Sequence, residues 1–109
     1  MKLAVIGSRG LKDLVIDPYI TEDVTEIVSG GAVGADACAA EYARRKGLIL
    51  TEFRPEYERY GRAAPIKRNE QIVDYADRVL AFWDGQSRGT LSVIRYAEKK
   101  GKVCEIVRI

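Results

Sequence analysis

Short apolar runs and helical periodicities alternate along this chain. Lys2 to Ile6 (KLAVI) is an apolar run stopped at Gly7, the pattern of a strand buried in a parallel sheet. Thr25 to Val28 (TEIV) is a second, ended by Ser29-Gly30-Gly31, and Leu48 to Phe53 (LILTEF) a third, ended by Arg54-Pro55. Arg78 to Trp83 (RVLAFW) is a fourth, followed by Asp84-Gly85, and Lys102 to Ile109 (KVCEIVRI) a fifth. Between them lie helical patterns. Ala35, Cys38, Ala39, Tyr42 and Ala43 repeat at the spacing of one buried helical face. Arg44, Arg45 and Lys46 then complement the negative helix end, and Gly47 suits the C-terminal cap. A second helix is predicted from near Pro65, burying Ile66, Ile72, Val73 and Ala76. A third runs from about Thr90 to Lys100, burying Val93, Ile94 and Ala97, and stops at Gly101. Pro18 divides Leu11 to Glu22, which predicts a short helix or an irregular crossover.

Strands alternating with helices predict an α/β fold, a parallel sheet covered on both faces. The expectation is a Rossmann-like three-layer α/β/α sandwich with five parallel strands in the order 3-2-1-4-5, since right-handed crossovers leave few alternatives. The 109 residues form one domain. Hydrophobic residues make up 47% of them, enough for a core that needs no disulfide or metal. No apolar run approaches the roughly 20 residues of a membrane span. Cys38 and Cys104 belong to no CxxC pattern and read as small core hydrophobes. With no signal peptide apparent before the first strand, a cytoplasmic location is expected. The chain has no histidine, which removes Ser-His and Cys-His nucleophile schemes and most zinc sites; no metal or cofactor is expected.

Net charge is only +2, but it is unevenly placed. From Leu11 to Val28 one lysine meets five acids; from Arg54 to Arg68 five bases meet two acids. The second stretch runs through a long connection (RPEYERYGRAAPIKRN) that interleaves bases with Tyr57 and Tyr60. Those rings either stack on a base or sugar, or pack the loop onto the sheet.

In open α/β sheets, ligands bind beyond the carboxyl ends of the strands, at the switch point between the first and fourth strands. Three glycine-rich connections converge on that edge. They are Gly7-Ser8-Arg9-Gly10, then Ser29-Gly30-Gly31-Ala32-Val33-Gly34-Ala35-Asp36, then Asp84-Gly85-Gln86-Ser87-Arg88-Gly89-Thr90. Glycine lets the backbone approach an anion, and a helix N-terminus presents unpaired N–H groups and partial positive charge. Ser8, Ser29, Ser87 and Thr90 add hydroxyls, and Arg9 and Arg88 add charge. Arg68 and Asn69 fall near the start of the second helix, at the same edge, where a bidentate arginine suits a phosphate. Tight turns need glycine in any case, and Asp36 also favours the dipole of its own helix. Trp83 either walls the pocket or packs in the core. GxGxxG and Walker spacings are absent.

The segments VIGSRG, IVSGGAVGADACAAEYA, FRPEYERYGRAAPIKRNEQIV and ADRVLAFWDGQSRGT, in this order, resemble a small single-domain bacterial member of the SLOG superfamily. That group joins the Smf-type DNA-processing proteins with the "Lonely guy" phosphoribohydrolases. The resemblance implies a nucleotide-binding Rossmann-like domain over residues 1–109. It implies a pocket lined by Gly7, Ser8, Arg9, Gly30, Gly31, Gly34 and Asp36, completed by Arg68, Asn69, Asp84, Ser87, Gly89 and Thr90; the loops themselves add Ser29 and Gly85. The phosphoribohydrolases carry PGGxGTxxE, with a catalytic glutamate and a partner arginine. Gly89-Thr90 matches the GT and Arg68 falls at the arginine, but Val93 takes the glutamate's place and Gly85-Gln86-Ser87 replaces PGG.

The expected function is therefore binding or sensing of a nucleotide-like phosphate ligand without catalysis. One alternative is hydrolysis of a nucleotide N-glycosidic bond, with Arg68 on the phosphate and Asp84 or Asp36 as the acid. Another is single-stranded DNA binding through the basic stretch. A homo-oligomer is left open, and no membrane partner is expected.

Overall fold

The computed structural model describes residues 1–8, 10–11, 14–31 and 34–109. Five strands form one parallel sheet: β1 (Lys2–Gly7), β2 (Glu26–Ser29), β3 (Ile49–Glu52), β4 (Arg78–Trp83) and β5 (Val103–Arg108). Their order is β3-β2-β1-β4-β5, as the alternation predicted. Register follows from pairings such as Ala4 with Val28, Val5 with Leu80, Val28 with Thr51 and Ala81 with Ile106. The central strands β1 and β4 are buried except at their ends.

Because side chains alternate across a strand, the central strands feed two cores. Leu3, Val5, Ile27, Leu80 and Phe82 point to one face and pack with Ala39, Tyr42 and Ala43 of α1 (Ala35–Lys46). Ala4, Ile6, Val28, Val79 and Ala81 point to the other. They meet Ile72 and Val73 of α3 (Ala64–Tyr75) and Val93, Ile94 and Ala97 of α4 (Arg88–Lys99). Phe82 is fully buried, and burial of such a side chain contributes about 1.5–3 kcal/mol. No helix of the described residues is long and apolar enough to cross a membrane.

The β1–β2 crossover is irregular, with one 3₁₀ turn at Asp17–Tyr19 set by Pro18, and buries Ile16 and Val24 under the first face. The β3–β4 connection is partly helical, containing the one-turn α2 (Tyr57–Tyr60). Three details differ from the sequence reading. Ile66 is 54% exposed rather than buried, because the first turn of α3 stands beyond the strand ends. Cys38 and Cys104 are only half-buried; Cys104 leans on the second core, and desolvation pushes its thiol up to about 11. The sheet is also incompletely covered. One long helix lies on the first face, so most of β3 and β5 faces solvent.

Candidate functional site

A cleft of about 270 Å³ opens beyond the carboxyl ends of β1 and β4, at the switch point of the sheet. Of the residues singled out from sequence, Gly7, Ser8, Gly30, Asp36, Arg68, Asn69, Ser87, Gly89 and Thr90 line it. Ile6, Pro65, Ile72 and Val93 complete its walls. The sequence reading had assigned Ile72 and Val93 to the core. Both are there as well, each about 1% exposed, with one flank turned to the cleft. Ile72 becomes a wall only where α3 meets α4 over Ile6, whereas Val93 is signalled in the sequence by its place at the glutamate of the motif the chain resembles.

The β4–α4 turn organises itself. Asp84 Oδ1 accepts from the backbone N–H groups of Gln86 and Ser87, both at 2.8 Å, and these bonds hold the Asp84 carboxyl below its ordinary range. Ser87 is the N-cap of α4, its Oγ accepting from Thr90 N at 3.4 Å and donating to Thr90 Oγ1 at 3.2 Å. Trp83 Nε1 donates to Ser87 O at 3.1 Å while the ring leans on the second core; the indole does not line the cleft. Gly85 takes φ +84°, which closes the turn, and Arg108 packs over it. Asp84 and Gly85 therefore shape the turn from outside the cleft, and Asp84 is exposed.

The β2–α1 turn also draws on distant side chains. Gly34 caps α1 without any side-chain hydrogen bond. Arg68, on the second turn of α3, donates from Nη1 to Gly30 O at 3.2 Å and from Nε to Asn69 Oδ1 at 2.9 Å. Arg54 donates to Gly31 O at 3.3 Å and pairs with Glu52 at 3.3 Å. A Cβ on Gly30 would lie 2.4 Å from Arg68 Nη1 and 3.0 Å from Asp36 Oδ2. Glycine is what lets the guanidinium and the carboxylate both close on this backbone. Gly7 has a comparable but purely structural reason: its Cβ would stand 2.7 Å from that of Ala35.

Two hydroxyls, Ser8 Oγ and Ser29 Oγ, are buried without a hydrogen-bond partner among the described residues. Ser8 borders the cleft, whereas Ser29, at the end of β2, is fully buried outside its lining. Gly31 and Gly34 take positive φ in the turn and do not line the cleft. Arg9 lies outside the described residues.

The cleft thus joins hydroxyl, amide and guanidinium groups on one side to an apolar wall on the other. Among the described residues no group of three His, Cys, Asp or Glu gathers as a metal site.

No protein-family model matches the chain. It is similar to the Gene 61 protein of Mycobacterium phage D29, 40% identical over 81 residues that cover 69% of this chain. The matched region is 65% of that protein, so the chain spans just under two thirds of its relative's length.

Proposed function

We propose that the domain binds a nucleotide, or a nucleotide-derived phosphate ligand, in the cleft beyond β1 and β4 and leaves it chemically unchanged. One observation carries this reading: a single cleft at the switch point collects Ser8, Arg68, Asn69, Ser87 and Thr90 opposite Ile6, Ile72 and Val93. Such a surface suits an anion joined to a flat or apolar moiety. The Ser8 hydroxyl, which also lies beside Asp84, supports it by offering a donor at the edge of the cleft. The SLOG-like motifs support the same choice of ligand.

The carboxylates at this edge do not favour chemistry on the ligand. A general acid at neutral pH needs a raised pKa and reach into the site. Asp84 lacks the first, its carboxyl being lowered by two backbone N–H groups and by the neighbouring Ser8 hydroxyl. The wall position that carries glutamate in the phosphoribohydrolases is Val93, which neither gives nor takes a proton. Asp36 is the carboxylate that lines the cleft, and it packs beside Arg68 against Gly30.

The test is a thermal-shift screen against nucleoside mono-, di- and triphosphates, ADP-ribose and cyclic dinucleotides, with Arg68→Ala as control. A ligand at 100 times its Kd stabilises by about 2.7 kcal/mol. The expected result is a rise in Tm that Arg68→Ala removes, with no free base released on prolonged incubation. Release of base that Asp36→Ala abolishes would instead establish the hydrolase. A well-folded sample that responds to no nucleotide would end the nucleotide reading.

A second reading, single-stranded nucleic acid binding, is favoured by an open groove of about 770 Å³ at the β3 edge, where Phe53, Arg54, Arg59 and Gln71 line the floor. Tyr57 on the adjoining α2 is 59% exposed. Glu52 and Glu56 line the same groove and offset both arginines, so it lacks the field that draws a polyanion. Oligonucleotide binding at low salt that Arg54→Ala/Arg59→Ala weakens would revive this reading; none at low salt would remove it.

A further inference from the structure

We infer that β5 is a homodimer interface, pairing antiparallel with β5 of a second copy to make one continuous ten-stranded sheet. The strand is an unpaired edge, and Val103, Ile106 and Ile109 along it are 66%, 43% and 48% exposed. Edge strands are ordinarily protected from such pairing by lysine, proline or a bulge. Between Val103 and Ile109 there is neither lysine nor proline. The other edge, β3, also exposes Ile49 at 61% and Leu50 at 37%, but it is only four residues long and runs into Arg54-Pro55.

The backbone decides which residues present hydrogen-bonding groups outward. Ile109 N donates inward to Trp83 O at 3.1 Å, and Trp83 is paired with Arg108. Alternation then turns the N–H and C=O groups of Cys104, Ile106 and Arg108 away from β4. A two-fold axis through Ile106 sets Ile106 opposite its own copy and Cys104 opposite Arg108, joining every outward group of the strand. The same register sets Val103 opposite Ile109 and Glu105 opposite Val107. All three exposed apolar side chains therefore meet apolar partners, and no like charges face each other.

Neighbouring registers do worse. Centred on Glu105, the pairing puts Glu105 against its own copy and Lys102 against Arg108, both destabilising contacts. Centred on Val107, it sets Ile106 opposite Arg108 and Ile109 opposite Glu105, so both exposed isoleucines lose their apolar partners. The charge pattern of the strand thus selects one alignment of one partner, a second copy of this chain. A β3-to-β5 pairing would be head-to-tail and would build open filaments rather than a closed pair.

Light scattering after size exclusion, over a concentration series, tests this with three chains. The unmodified chain is expected to be a dimer at high concentration. Ile106→Lys places two ammonium groups at the axis and is expected to be monomeric with an unchanged far-UV spectrum. Glu105→Cys/Val107→Cys is expected to oxidise to a disulfide-linked dimer joined between those positions, because the two face each other as non-hydrogen-bonded pairs with Cα atoms about 4.5 Å apart, within disulfide reach. A monomer at every concentration, a dimer undiminished in Ile106→Lys, or growth into filaments would each overturn the inference. If Ile106→Lys fails to fold, the cross-link decides: its absence under oxidising conditions overturns the proposal, and its formation supports it.

Discussion

The two turns that flank the cleft start from similar sequences, but the contacts of their described residues reach very different distances along the chain. Both leave a buried strand, pass through glycines, and open a twelve-residue helix. The β4–α4 turn is held by its own residues, Asp84 and Ser87, across separations of two and three positions. In the β2–α1 turn the N-cap Gly34 makes no side-chain cap bond, and the Gly30 and Gly31 carbonyls accept from Arg68 and Arg54, 38 and 23 positions away. A turn that satisfies its own backbone is insensitive to what binds beside it. A turn held by an arginine that also faces the cleft shares its donors with any anionic ligand. On the proposed function, α4 is the preformed wall and the Gly30–Arg68 contact is the part that answers the ligand.

The largest expected effect comes from Gly30→Ala. No positive φ forbids alanine there, but the new Cβ would lie 2.4 Å from Arg68 Nη1 and displace the guanidinium. The nucleotide-induced rise in Tm should disappear while the unliganded Tm falls by little, because the displaced atoms end a flexible side chain. A rise that survives would show that the glycine does not organise the site. Next is Ser87→Ala, which removes the cap of α4 and should cost about 1 kcal/mol in urea unfolding. A cost near zero would break the contrast between the self-capped and the borrowed turn.

Asp84→Asn keeps an acceptor oxygen but loses the charge. The folded pKa of Asp84 is lowered, so its contribution is fully present above the unfolded value near 3.8 and is lost as pH falls through the lower folded value. The Tm advantage of the unmodified chain over this variant should therefore be constant from pH 7 down to about 5 and close below about pH 4. An advantage independent of pH would mean that the carboxylate charge does not support the turn. The smallest effect is expected for Arg54→Ala. Its side chain is 68% exposed, and loss of such surface contacts stays within about 0.5 kcal/mol. A larger loss would place Arg54 beside Arg68 as a structural tie of the Gly31 turn.

Much of this was legible in the chain itself. Alternating apolar runs and helical periods are local signals, and they located all five strands, the three long helices and the strand order. Gly47 and Ser87 mark their helix ends as local chemistry requires. The converging glycine loops indicated the edge where the cleft lies, and Arg68 and Asn69 were placed there by position. What remained hidden depends on contacts distant in sequence. Asp84 and Asp36 both read as acids at a glycine loop. The fold turns one outward onto its own turn and sets the other beside Arg68 in the cleft.

Sequence by itself determined the class of this protein, its strand order and the end of the sheet where the cleft opens, because each follows from periodicity and from the handedness of crossovers. Tertiary structure alone decided which glycine meets which arginine, which carboxylate faces the cleft, and how much of each edge strand stays exposed. Those outcomes depend on separations of tens of residues and on how completely the helices cover the sheet, neither of which any local pattern records.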